Sequence, residues 1–173
     1  VESGEKHQVT DGWFGSSSPN FSEDGKYLVF VSARTFSPTY GRTEWNHVYN
    51  DMNKVYILPL AKDAPVLFAP KNDVVRVETA VKEKNKKEES EDKGVVYLVE
   101  LPVLASNYYG NVHMLGNRVY YNRGGRTLIY DLNGKKETDM GGDIEFSPGY
   151  KKAIVSSGSA FQVEDLPVLS ANV

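Results

Sequence analysis

The amino-acid sequence predicts an all-β fold, in which antiparallel four-stranded meanders form part of a β-propeller, about two to three blades that do not close. Three observations predict this fold. A strand–turn–strand pattern recurs along the chain, glycine-containing turns separate its runs, and Tyr, Phe and Val are concentrated in short segments that favour strands over helices. Closed propellers typically have about four to eight blades, so 173 residues supply only part of a ring.

The repeat is clearest where FSEDGKYLVFVS (21–32) resembles FSPGYKKAIVSS (146–157). Asp24-Gly25 and Pro148-Gly149 supply the turns, because glycine accepts a positive φ without steric cost. The strands predicted for the first unit are Ser18 to Phe21, Tyr27 to Ser32, Lys54 to Leu60 and Pro65 to Phe68. Those predicted for the last unit are Ile144 to Phe146, Lys152 to Ser156 and Ala160 to Glu164, and a fourth strand is missing.

A looser copy of the meander lies between these two units. Its turns are Gly116-Asn117, Gly124-Gly125 and Asn133-Gly134, each of which is typical of a hairpin. The predicted strands are Val112 to Leu115, Arg118 to Asn122, Thr127 to Leu132 and Lys135 to Thr138. The spacing is that of one propeller blade.

The sequence therefore divides into three parts. Residues 1–70 are predicted to form a blade with a long aromatic insertion at 34–52, and residues 95–173 one further blade and a partial blade. Between them, residues 71–94 are predicted to be a charged, flexible excursion. Ten of the twelve residues from Lys82 to Lys93 are charged, five of each sign, and such a segment buries too little apolar surface to offset its ordering entropy.

Composition argues against several classes of function. A net charge of −3 is too small to favour nucleic acid or an anionic membrane as a partner, and no apolar run is long enough to span a bilayer. No metal or cofactor is expected, because the chain has no Cys, no paired His-x-x-x-His and no phosphate loop. No catalytic residue is predicted either, since no Gly-x-Ser-x-Gly elbow exists. The polar start without an initiator Met predicts that the chain begins inside a longer protein.

The insertion at 34–52 is the best candidate site. An aromatic and polar loop on a rigid scaffold is a common recognition device. The alternative is that Phe36 and Trp45 only cap the core of their own blade. The residues predicted to contact a peptide or another domain are Arg34, Tyr40, Trp45, Asn46 and His47.

Several runs resemble a known family, the tricorn-type serine peptidases and in particular their bacterial homologues. The most specific are SARTFSP (32–38) and TEWN (43–46), and these are supported by VTDGW (9–13), PNFSEDGKYL (19–28), KVYIL (54–58), PVLFAPK (65–71), LPV (101–103) and SNY (106–108). The chain departs from the family at 94–98, where GVVYL replaces the usual Asp/Gly and Asp-Arg pattern.

The resemblance implies a non-catalytic propeller segment that scaffolds a large serine peptidase or gates the access of peptides to its distant protease domain. The implied partners are the remaining blades, the peptidase domains and peptide substrates. It also implies a cytoplasmic protein, with the periplasm as the alternative. Unpaired strand edges on a partial propeller predict self-association of the isolated chain.

Two other readings remain open at this point. One is a stand-alone propeller-like module that binds proteins or has a structural role. The other is a self-contained hydrolase, which the lack of a Ser/His/Asp arrangement disfavours.

Overall fold

The computed structural model describes residues 4–36, 38–40, 47–60, 64–68 and 97–170. This part of the chain contains thirteen β-strands and no helix, so the predicted all-β class is confirmed. The strands in chain order are β1 (Ser16–Phe21), β2 (Tyr27–Ser32), β3 (Thr39–Tyr40), β4 (His47–Val48), β5 (Lys54–Pro59), β6 (Val99–Glu100), β7 (Tyr109–Leu115), β8 (Arg118–Arg123), β9 (Arg126–Asp131), β10 (Lys136–Asp139), β11 (Asp143–Phe146), β12 (Lys152–Ser157) and β13 (Ala160–Asp165).

The strands form three antiparallel meanders. The first sheet has the order β1-β2-β5-β6, the second β7-β8-β9-β10 and the third β11-β12-β13. A two-stranded sheet, β3-β4, lies within the insertion of the first. None of the three meanders closes on itself, and among the described residues the third has only three strands, as the sequence predicts.

The fourth strand of the first sheet is not the predicted one. Pro65 to Phe68 were expected to pair with the sheet, but they form a turn whose Leu67 and Phe68 pack against the core. The hydroxyl of Tyr27 donates to the carbonyl of Pro65 at 2.9 Å, so this segment lies beside the sheet without extending it. β6 takes the fourth position instead, pairing with β5. The predicted excursion at 71–94 lies outside the described residues.

The sheets stack face to face in chain order. Side chains at alternate positions of β2 and β5 share one apolar cluster with side chains of β7, β8 and β9, which joins the first sheet to the second. A second cluster joins β8 and β9 to β11 and β12. Alternate residues of a strand point to opposite faces, so the second sheet is covered on both sides.

A charged network crosses the second sheet over β9. Arg123 on β8 donates from both terminal nitrogens to the carboxylate of Glu137 on β10, each at 2.6 Å. The hydroxyl of Tyr121, whose side chain is fully buried, donates to the same carboxylate at 2.5 Å. Burial raises the pKa of Tyr121, and the negative charge of Glu137 raises it further. The carboxylate is thus the shared acceptor of the network.

The first strands of the first two sheets carry the same irregularity. β1 has one extra residue between Ser17 and Asn20, and β7 has one between Gly110 and His113. A β-bulge of this kind bends the strand and re-aims the side chain that follows it.

Candidate functional site

The structure places only part of the predicted contact set. Arg34 lies two residues after the end of β2, and the backbones of Tyr40 and His47 pair with each other in the two-stranded sheet β3-β4. Trp45 and Asn46 lie outside the described residues. Contact of these five residues with a peptide or another domain therefore stays a prediction.

Arg34 is held at the root of the insertion. Its guanidinium carbon lies 5.3 Å from the ring centroid of Phe14 and 5.9 Å from that of Tyr56, distances at which a cation is attracted to an aromatic face. Its Nε donates to the Ser32 hydroxyl at 3.2 Å, and Nη2 lies 3.6 Å from a carboxylate oxygen of Asp11. These contacts tie the segment before β1 to the first sheet, and they give Arg34 a structural role.

Tyr56, whose ring lies against the guanidinium of Arg34, carries a hydroxyl that bonds to a charged partner. The Tyr56 hydroxyl donates to Glu100 at 3.1 Å, and Lys54 contacts the other oxygen of the same carboxylate at 2.5 Å. Burial, and then the charge and hydrogen bond of Glu100, raise the pKa of Tyr56 to about 12. Tyr56 therefore stays protonated at neutral pH.

The insertion presents an exposed aromatic pair above this root. Phe36 and Tyr49 lie with ring centroids 5.8 Å apart and side chains 70% and 52% exposed. A hydrogen bond of 3.1 Å from the Thr35 amide to the Met52 carbonyl closes the base of the insertion beneath them. Aromatic side chains held on a fixed base are effective contact residues, because they offer a large area at little entropic cost. The aromatic content of the insertion is visible in the sequence, but the predicted contact set contains neither Phe36 nor Tyr49.

His113 joins all three sheets. Its Nδ1 lies 2.9 Å from the Asn20 amide nitrogen of the first sheet and 3.0 Å from the Tyr150 hydroxyl of the β11–β12 turn. Its Nε2 lies 2.9 Å from the Asn111 carbonyl oxygen, and the Asn111 amide nitrogen in turn donates to the carbonyl of Ile144 at 3.1 Å.

These contacts specify the neutral ring. The bond to Ile144 orients the Asn111 amide so that its oxygen accepts from Nε2–H, which leaves Nδ1 as the acceptor for Asn20 and Tyr150. Burial lowers the pKa of His113, in agreement with a neutral imidazole. Nothing in the local sequence could reveal this cluster, because its members are up to 130 positions apart.

A polar cleft of about 290 Å³ opens between the second and third sheets. Four glycines line it, Gly125, Gly141, Gly142 and Gly158, and beside them Arg126 and Asp139 form an ion pair of 3.2 Å. The glycines leave backbone groups accessible, so the cleft can accept hydrogen bonds from, or donate them to, an extended chain.

The described side chains form no metal site, and His113 does not activate a serine. No group of three or more His, Asp or Glu side chains in this part of the chain could hold a metal ion. The partners of His113 are two amides and a phenol, so no serine hydroxyl is activated there. None of the described segments is a helix with the length and apolar character needed to cross a membrane.

Comparison with known proteins gives two matches. Over 57 residues, 33% of this chain, the sequence is 35% identical to tricorn protease homolog 1 of Streptomyces coelicolor, of which those residues are 5%. The crystal structure of the tricorn protease matches 93% of this chain with a TM-score of 0.55 and 18% sequence identity. No protein-family model matches the chain.

The matches confirm the resemblance to tricorn-type peptidases. The structural match shows a shared fold over nearly the whole chain, and the three unclosed meanders are consistent with part of a propeller. The chain spans 19% of the solved tricorn protease chain and 5% of the homologue.

Proposed function

We propose that this chain is a non-catalytic β-propeller segment of a tricorn-like serine peptidase, which scaffolds the enzyme or gates the access of peptide substrates to a distant protease domain. The observation that carries the proposal is the match of the stacked meanders to the tricorn protease over 93% of the chain. Residues that could activate a serine are not found together in the described part, which favours a supporting role over a catalytic one.

The stack is suited to hold a contact surface in place. Apolar clusters join the second sheet to the first on one face and to the third on the other. His113 of the second sheet also hydrogen-bonds one side chain from the first sheet and one from the third. Binding residues often lie on loops that a rigid scaffold positions, and such an arrangement suits a surface that contacts peptides. Phe36 and Tyr49 are exposed on one such loop, and Arg34 fixes its root.

The test uses the full-length peptidase that contains this chain. We expect Phe36→Ala combined with Tyr49→Ala to lower kcat/KM for a long peptide by roughly tenfold or more, since removal of each aromatic contact residue costs on the order of 1–2 kcal/mol. Hydrolysis of a short chromogenic substrate should be unchanged, because a short substrate needs little guidance from a distant loop. Leu104→Ala is the matched control, as Leu104 is an exposed apolar residue outside the insertion.

Two results would contradict the proposal. One is equal kcat/KM values for the long peptide in the wild type and the double variant. The other is labelling of the 173-residue chain by a serine-directed fluorophosphonate probe, which would show a reactive serine within the chain itself.

A further inference from the structure

The three sheets repeat one central residue pair. In each sheet this pair joins the middle of the second strand to the middle of the third. In the first two sheets both side chains lie in the apolar cluster shared with the sheet that follows. The pairs are Val29 with Ile57, Tyr120 with Ile129, and Ile154 with Val163.

Hydrogen bonds in the turn before the second strand give a separate alignment of the first sheet with the third. The Ser22 amide donates to the carbonyl of Tyr27 at 2.9 Å, and the Tyr27 amide donates to the Ser22 hydroxyl at 3.0 Å. Ser147 and Lys152 make the same two bonds at the same distances. Two positions further along, each strand carries its member of the central pair, so the pairs occupy equivalent places.

In the first two sheets the next sheet covers the pair. Val29 and Ile57 are 0% exposed, in one cluster with Met114 and Val119 of the second sheet. Likewise, Tyr120 and Ile129 are 0% and 4% exposed and are packed in one cluster with side chains of the third sheet. The forward side of each of these sheets is therefore an interface between meanders.

The equivalent pair of the third sheet is exposed to solvent. Ile154 is 46% exposed and Val163 63%, and Phe161 beside them is 72% exposed. Apolar side chains left on one sheet face are unfavourable in water and mark a surface that another element covers. We call the surface formed by Ile154, Phe161 and Val163 the forward face.

We infer that the forward face is the docking surface for a further antiparallel meander of the same polypeptide, a blade that packs on the third sheet as the third packs on the second. This inference rests on the proposed function, in which the chain is one segment of a longer propeller. The incoming face carries small or branched apolar residues, like the Ala153 and Val155 that the third sheet turns towards the second. The ion pair of Lys152 with Asp165, at 2.7 Å, lies at one end of the forward face and forms a polar rim.

A second copy of this chain offers no equivalent partner. The side of the first sheet that faces away from the second carries Phe30, Tyr56 and Leu58, which are only 3%, 4% and 9% exposed. That side is already covered, so a copy could not present it to the forward face. The remaining way for copies to pair, forward face against forward face, is an outcome of the test below.

Thiol labelling tests the inference, because the chain has no native Cys. Val163→Cys is introduced into the 173-residue chain and into the full-length polypeptide, and its reaction with a maleimide is followed by peptide mass spectrometry. In the 173-residue chain we expect it to react as fast as Leu104→Cys, a control whose site is also exposed. In the full-length protein the reaction should be slower by roughly tenfold or more, as expected of a thiol that reacts only through local opening. Phe161→Cys replaces Val163→Cys if the latter does not fold.

Equal reaction rates in the two proteins would overturn the inference. So would a dimer of the 173-residue chain that Val163→Lys converts to a monomer, since a second copy would then occupy the forward face. Neither result depends on peptide hydrolysis, so failure of the inference is separate from failure of the gating proposal.

Discussion

Glu137→Gln tests whether the charged network across β9 stabilises the second sheet. The substitution preserves the shape of the side chain but removes its charge, so both nitrogens of Arg123 lose a charged acceptor. The new amide nitrogen also presents N–H groups to donors. In place of Oε1 it faces Arg123, and in place of Oε2 it faces both Arg123 and the Tyr121 hydroxyl. The arginine is then left largely buried without a carboxylate partner.

The expected loss is about 2 kcal/mol of unfolding free energy. A hydrogen bond to a charged group contributes about 1.5–3 kcal/mol, and breaking a buried pair can cost more. The Arg123 and Glu137 side chains are 16% and 28% exposed, so water still reaches them and the lower part of that range applies. For a chain of this size, such a loss corresponds to a fall in Tm of about 4–8 °C.

Urea unfolding followed by far-ultraviolet circular dichroism measures the loss. The control is Asp165→Asn, which breaks the ion pair with Lys152 between side chains that are 81% and 58% exposed. An exposed pair contributes little, so the control should lose about 0.5 kcal/mol or less. A loss for Glu137→Gln no larger than that of the control would refute the reasoning.

Three further predictions concern the contacts between sheets and the isolated chain. Because burial lowers the pKa of His113 in the folded state, the unfolded chain binds the proton more tightly; stability should fall as pH decreases through about 6.5. His113→Gln should flatten this part of the stability curve in urea titrations at several pH values, and an unchanged slope would count against it. Tyr120→Phe removes the donor to the carbonyl of Val168, at 2.9 Å in a buried contact, and should cost about 1–2 kcal/mol in the same assay; no measurable loss would mean that water replaces the bond. Light scattering should show concentration-dependent self-association of the 173-residue chain through strand edges, and a monomer at all concentrations would disprove this.

Sequence patterns locate strands better than they pair them. The bounds of β2 agree with prediction because the Asp24-Gly25 turn fixes the start of an apolar run. Pro65 to Phe68 also look like a strand, yet β6 pairs with β5 instead. A two-residue strand has no periodicity to detect, and its partner is set by contacts with residues distant in the sequence. One of these is the hydrogen bond of 2.9 Å from the Leu101 amide to the Val55 carbonyl.

The environment of a candidate residue is harder still to predict. The aromatic surroundings of Arg34 in the sequence make it a candidate, but its contacts are with Asp11 and Phe14, which lie 20 or more positions before it. The sequence around His113 does not reveal its role, since Asn20 and Tyr150 come from the other two sheets. Local chemistry limits which residues are candidates, whereas long-range packing assigns their roles.

The extra residue in β7 also governs which way its aromatic side chains point. Tyr109 and Met114 are five positions apart, an odd spacing that would send them to opposite sides of a regular strand, yet both lie in the cluster shared with the first sheet. Loss of a single residue between them would swing the Tyr109 ring out of that cluster and away from Tyr121, whose ring centroid is 5.6 Å distant. Deleting this position would therefore disturb the contact between the first two sheets, and alignments of related chains should show its column occupied without gaps.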